Sequence, residues 1–197
     1  MSDQQARRTR IWDPALRVFH WLLATLVIAN WLLGKFGPNI MTLHFWLGYT
    51  IVGLLVFRVI WGLIGPKSAR FSGLIYSPRQ VLSYLRQMGR RSPSHWPGHA
   101  PIGGLAVIAI LLALLWQVGT GLITDPEDFV NVGPLAGLAG SRIATKADAW
   151  HSLGADIILI LVVLHIVAIL FYRIWKNEDL IRPMLTGWKW VRRQDKG

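Results

Sequence analysis

The chain has 197 residues, no cysteine, 53% hydrophobic residues and a mean hydropathy of +0.40. The lack of cysteine excludes disulfide scaffolds, thiolate metal sites, cysteine-held iron–sulfur clusters and covalently attached c-type haem. A net charge of +11 would suit nucleic acid, but in so apolar a chain, carrying 11 tryptophans, membrane topology accounts for it better and no nucleic-acid partner is expected.

The first ten residues are polar and basic. No small-residue cleavage site follows the first apolar run, so a retained span is expected rather than a removable signal, with Arg7 and Arg8 as flanking charge. That first span is predicted over 15–33, closed by Gly34, Gly37 and Pro38. A second, over 42–64, stops at Gly65-Pro66. In the connection that follows, Ser77-Pro78 reads as a helix cap with proline at the first helical position. Val81, Leu82, Leu85 and Met88 then recur at helical spacing among Arg79, Arg86 and Arg90. This predicts an interfacial amphipathic helix over about 78–90, the alternative being a solvated basic loop. A third span over 102–124 ends at Asp125-Pro126, and a fourth runs over 149–175. Each is long enough to cross about 30 Å of hydrocarbon, and helices satisfy their own backbone there. The expectation is an all-α integral membrane four-helix bundle, one domain over 1–197.

Lysine and arginine set the orientation. The N-terminal flank (Arg7, Arg8, Arg10, Arg17), the 67–91 connection (Lys67, Arg70, Arg79, Arg86, Arg90, Arg91) and the C-terminal flank (Arg173, Lys176, Arg182, Lys189, Arg192, Arg193, Lys196) are expected on one side. The other two connections hold only Lys35, Arg142 and Lys146. Both termini are therefore expected in the cytoplasm.

On this topology four histidines sort by depth. His20 and His165 fall in the inner halves of spans one and four, and His44 and His151 near the outer ends of spans two and four. His151 and His165 are fourteen residues apart, which on a helix places them about 40° apart around the axis and about 21 Å apart along it. Imidazole inside a span is costly and marks function. Zinc would call for Cys or carboxylates nearby, yet the only acid in the predicted spans is Asp156, about 140° round the helix from His151. A di-iron carboxylate site is likewise unsupported. Two facing histidines, twice over, suit bis-imidazole ligation of two b-type haems. Small residues at Ala24, Gly48, Gly154 and Ala168 share the ligands' faces and leave room for a flat macrocycle. Arg17, one turn before His20, and Arg58, on the face of His44 about 21 Å deeper, are candidates to pair with propionates of the inner haem.

These residues resemble the bacterial di-haem cytochrome b family, of the cytochrome b561 and nickel–iron hydrogenase b-subunit type. The resemblance is carried by Arg17-Val18-Phe19-His20-Trp21, His44-Phe45-Trp46-Leu47-Gly48, Gly98-His99-Ala100-Pro101-Ile102-Gly103-Gly104 and Trp150-His151-Ser152-Leu153-Gly154, with His165 in span four. It implies a four-helix bundle of the bacterial inner membrane, with two b haems moving electrons between quinone (ubiquinone or menaquinone) and a periplasmic partner. Four functional readings stand at this point. A quinone-linked electron carrier serving a periplasmic c-type cytochrome is favoured, because the 125–148 connection carries Asp125, Glu127, Asp128 and Asp148 against Arg142 and Lys146, a surface suited to a cationic protein. A superoxide oxidase passing electrons to ubiquinone is the runner-up, and would benefit from a positive funnel. A hydrogenase or other dehydrogenase b-type subunit is the third, and relatives of that kind are usually longer. A non-redox membrane anchor is the fourth. His99, and less so His95, are candidates for proton relay to quinone. Homo-oligomerisation is left open.

Overall fold

The computed structural model describes residues 7–93, 96 and 98–191. In chain order it has β1 (Arg7–Arg10), α1 (Pro14–Phe36), α2 (Thr42–Ile64), a 3-10 turn at 71–73, α3 (Pro78–Gln87), α4 (Pro101–Ile123), α5 (Ala136–Ala139), α6 (Ser141–Ile174), α7 (Ile181–Thr186) and β2 (Trp188–Val191). α1, α2, α4 and α6 are each long and apolar enough to cross a membrane. Large apolar side chains along them, such as Val18, Leu63 and Ile160, stay exposed, as a lipid-facing surface requires. The protein is an all-α multi-pass membrane protein.

Local chemistry sets the ends. Asp13 caps α1: its Oδ1 accepts from the Leu16 backbone N–H at 3.0 Å, with Pro14 at the first helical position. α1 and α2 close with Gly37 and Gly65 donating back to Leu33 and Trp61, and a proline follows each glycine. Ser77 and Gln80 form a reciprocal capping box on α3. α6 begins eight residues before the predicted fourth span. Arg142, Lys146 and Asp148 lie beyond the apolar run, yet Ala144 and Ala147 on the same turns are buried, so packing extends the helix past the point where hydropathy ends.

Backbone contacts divide the chain into two compact units. The first gathers the described parts of 1–18, 60–107 and 164–197. In it β1 pairs antiparallel with β2, Arg7 opposite Val191 through Arg10 opposite Trp188. Ile11 and Trp12 both donate to the Gly187 carbonyl, and Gly187 takes φ +86°, which glycine adopts without steric cost. Buried Glu178 pairs with Lys189 at 2.6 Å, and Lys189 also donates to the Trp96 carbonyl. Trp175 and Lys176 donate to the carbonyls of Gly89 and Arg90, which ties the end of α6 to the segment after α3. Tyr84 on α3 shares a hydrogen bond between phenols with Tyr172 on α6. Burial raises the Tyr84 phenol above its ordinary range and the nearby Glu178 carboxylate raises it further, against an opposing effect of the Tyr172 hydrogen bond.

The second unit gathers 19–59 and 108–163. Segments of all four spans pack there, and the connection after α4 folds over them. Asn131 fastens that connection: its amide donates to the Asn39 carbonyl at 2.8 Å and its Oδ1 accepts from Met41 N–H at 2.9 Å. Asp128 accepts from the Asn131 and Val130 backbones and from the Asn131 amide, which holds its carboxyl below the usual carboxylate range.

Close backbone packing fixes one point of the first unit. A Cβ on Gly104 of α4 would stand 2.5 Å from the Leu74 carbonyl oxygen. Gly104→Ala is therefore expected to destabilise by about 1–3 kcal/mol. The readout is a lower thermal unfolding midpoint in detergent. Gly53→Ala, where nothing lies within 4 Å, should leave the midpoint in place.

Candidate functional site

The second unit encloses a cavity of about 420 Å³, within the size range of cofactor sites. His44, third residue of α2, and His151, in the first third of α6, line it together. Their ring centroids are 6.0 Å apart and their planes stand 78° to each other.

Each ring is held by a backbone carbonyl. His44 Nδ1 donates to the Asn30 carbonyl of α1 at 3.1 Å, and His151 Nδ1 to the Gln117 carbonyl of α4 at 3.0 Å. A carbonyl can only accept, so both rings carry their proton on Nδ1 and present a lone pair at Nε2, the arrangement that orients metal-binding histidines. His151 Nε2 accepts from the Gln117 side-chain amide at 3.2 Å. Glycine clears the space around the rings. A Cβ on Gly121 would stand 2.8 Å from His151 Cε1, one on Gly34 would stand 3.4 Å from His44 Cε1, and Gly48 lies on the cavity wall. Gly154 lies beneath Gln117, whose Oε1 a Cβ there would overlap.

The remaining predicted residues are distributed as follows. His20 belongs to the second unit, with its ring edge-on to Trp21 at 5.2 Å. Arg58 belongs to it too and is buried, 4% exposed, on α2. His165 belongs to the first unit, half-buried on α6. Arg17, also in the first unit, donates from Nη1 to the Leu185 carbonyl and lies against Gly187, so it fastens the end of α7. His99 packs its ring on Trp12 at 4.6 Å, and its carbonyl accepts from the Tyr76 hydroxyl at 2.7 Å. His95 lies outside the described residues.

Sequence reasoning missed Asn30, Gln117, Gly121, Trp31 and Thr124 on the cavity wall. The signal was present: Asn30, Gln117 and Thr120 are polar residues within otherwise apolar helices, and in lipid such groups need partners. Attention to ionisable side chains passed over them. Among the described residues, no cluster of three or more His, Cys, Asp or Glu is placed to hold a bare metal ion.

The family profile described as prokaryotic cytochrome b561 matches residues 11–187. The chain belongs to this family. It is similar to proteins named probable Ni/Fe-hydrogenase B-type cytochrome subunit. The one from Rhizobium leguminosarum bv. viciae is 25% identical, over 90% of this chain and 87% of that protein. Those from Cupriavidus necator (23% identical, 95% and 89%) and Azotobacter vinelandii (24% identical, 91% and 87%) are comparable. No solved structure matches the chain.

Membership of a b-type cytochrome family implies haem b, and the cavity fits it. An iron between two imidazoles, with metal–nitrogen bonds of about 2 Å on either side, separates the ring centroids by roughly 6 Å. The observed separation is 6.0 Å, with both Nδ1 atoms engaged elsewhere. Apolar walls and flanking glycines suit the macrocycle. Gly121→Leu is expected to push the His151 ring aside and lower the haem-to-protein ratio by about one haem. Gly119→Leu, where nothing lies within 4 Å, should retain it; pyridine haemochrome against protein concentration measures both.

Proposed function

We propose that the protein is a di-haem b-type cytochrome of the bacterial inner membrane, with both termini cytoplasmic, that carries electrons between the quinone pool and a periplasmic redox protein. The observation that carries this reading is the pair His44 and His151, set 6.0 Å apart across an apolar cavity with their tautomers fixed by backbone carbonyls. His44 and His151 hold the outer haem iron. His20, in the first third of α1, and His165, in the last third of α6, hold the inner one, a pairing that rests on depth along the two helices. Bound haem supplies one-electron chemistry, and the protein supplies ligands, a dry wall and position. Arg58, buried on α2, and Arg17 are the cations proposed for the inner propionates, and His99 for proton exchange with quinone.

Acidic residues favour a cationic protein at the outer end. Asp128 and Asp148 line the cavity, with Glu127 close by in the same connection. The acidic 125–148 connection works against steering an anion in from water, as superoxide would need, so superoxide oxidation stays second. A c-type cytochrome fits this surface. The names of the similar proteins favour a second reading of the partner, a hydrogenase, to which a cytochrome of this kind would serve as b-type subunit.

An optical spectrum of the purified protein before and after dithionite is the first test. A low-spin b-haem band with about two haems per chain is expected, and its absence would leave only a membrane anchor. His44→Ala and His151→Ala should deplete one and the same haem, His20→Ala and His165→Ala the other; mixed losses would show the pairing to be wrong. Mixing the reduced protein in turn with quinone, a c-type cytochrome and oxidised hydrogenase, and mixing oxidised protein with superoxide, ranks the partners by rate. Quinone and one protein partner are expected to lead.

A further inference from the structure

Four cavity-wall residues carry a buried polar atom with no hydrogen-bond partner: Asn30 Oδ1, Trp31 Nε1, Gln117 Oε1 and Thr124 Oγ1. Buried polar atoms are nearly always paired, because each one left unmet costs on the order of 1–3 kcal/mol. Their convergence on one apolar cavity, between two histidines, marks a place built for a polar group. The indole N–H of Trp31 is a donor only, and the hydroxyl of buried Thr124, whose oxygen has no partner, can donate too. The Asn30 and Gln117 atoms are carbonyl oxygens, which only accept, so the donors on this wall are Trp31 and Thr124.

The cavity's charged residues are Lys35, Asp128 and Asp148. The Lys35 ammonium is already ion-paired with Asp156 at 3.0 Å, and Asp128 is saturated by its own loop. Trp31 lies near the end of α1 and Thr124 just past the end of α4, on the same side of the unit as the Asn131 clasp. Neutral donors therefore gather at the outer end of the cavity, where an anion bound inside would place its charge toward water.

The geometry points to a carboxylate subsite: Trp31 Nε1–H and Thr124 O–H hold a propionate of the haem ligated by His44 and His151. This rests on the haem assignment above and sharpens it. The outer propionate is gripped by neutral hydrogen-bond donors, unlike the inner one, for which arginines are proposed. A charge-assisted hydrogen bond to a buried carboxylate is among the stronger single contacts a protein makes.

The test uses the full-length, haem-loaded protein and the variants Trp31→Phe and Thr124→Val, which keep shape and remove one donor each, with Thr50→Val, exposed on α2 and away from the cavity lining, as control. Two quantities are read: the propionate bending bands in the resonance Raman spectrum, and the rate of haem transfer to excess apomyoglobin. Both donor variants should keep a low-spin bis-histidine spectrum, shift the propionate band and release haem about tenfold faster. The affected haem should be the one that His44→Ala removes. Thr50→Val should leave both the band and the release rate unmoved. Unchanged band and release rate in both donor variants, with haem bound and low-spin, would overturn this subsite while leaving the haem assignment intact. A shift confined to the haem that His20→Ala removes would overturn it equally. If the wild type binds no low-spin haem, the proposed function and the subsite fall together.

Discussion

Everything around the cavity follows from the cost of placing imidazole rings inside apolar helices. A ring there must have both nitrogens satisfied. The protein meets half of that demand with main-chain carbonyls, Asn30 for His44 and Gln117 for His151. A carbonyl lacks an alternative protonation state, so it settles which nitrogen keeps the hydrogen. It also belongs to a neighbouring helix, so each bond draws two spans together: α2 to α1, and α6 to α4. The 6.0 Å separation of the rings closes the set by relating α2 to α6. The ligand geometry and the helix packing of this unit are thus one arrangement.

The unit that contains β1 and β2 is organised differently, by polar groups at helix ends. Trp175 and Lys176 reach carbonyls after α3, Lys189 joins buried Glu178 to the Trp96 carbonyl, and Arg17 reaches Leu185. Long basic side chains bury their stems and deliver a charge to a carbonyl or carboxylate. Several residues that count as orientation signals in the sequence therefore also fasten the fold. Lys176, almost wholly buried, is the plainest case.

The four spans and the helix α3 were legible because their signals are local: long apolar runs, Gly-Pro stops and a Ser-Pro cap. The start of α6 was not, since the buried alanines that extend it sit among charged residues whose hydropathy points to a loop. β1, β2 and α7 were illegible for another reason. They are short; β1 and β2 are held by pairing between residues more than 170 positions apart, and α7 by Arg17 from 168 positions earlier, of which no window of sequence carries a trace. At the site, the ionisable residues stood out and His44 and His151 do meet. The glycines and neutral amides around them did not stand out, because their importance lies in what they leave room for or what they face. Gly121 is the clearest example. It sits on a helix with no histidine and yet determines whether the ring of His151 has space.

Asn131 clasps backbone groups about ninety residues earlier in the chain, at Asn39 and Met41. That clasp cannot form until the third span has been made and threaded across the bilayer. Until then the segment running through Pro126 and Asp128, which forms part of the cavity wall, is untethered. The cavity wall is thus completed in chain order: the α1 and α2 residues wait for the latch, and His151, further along the chain, arrives after it.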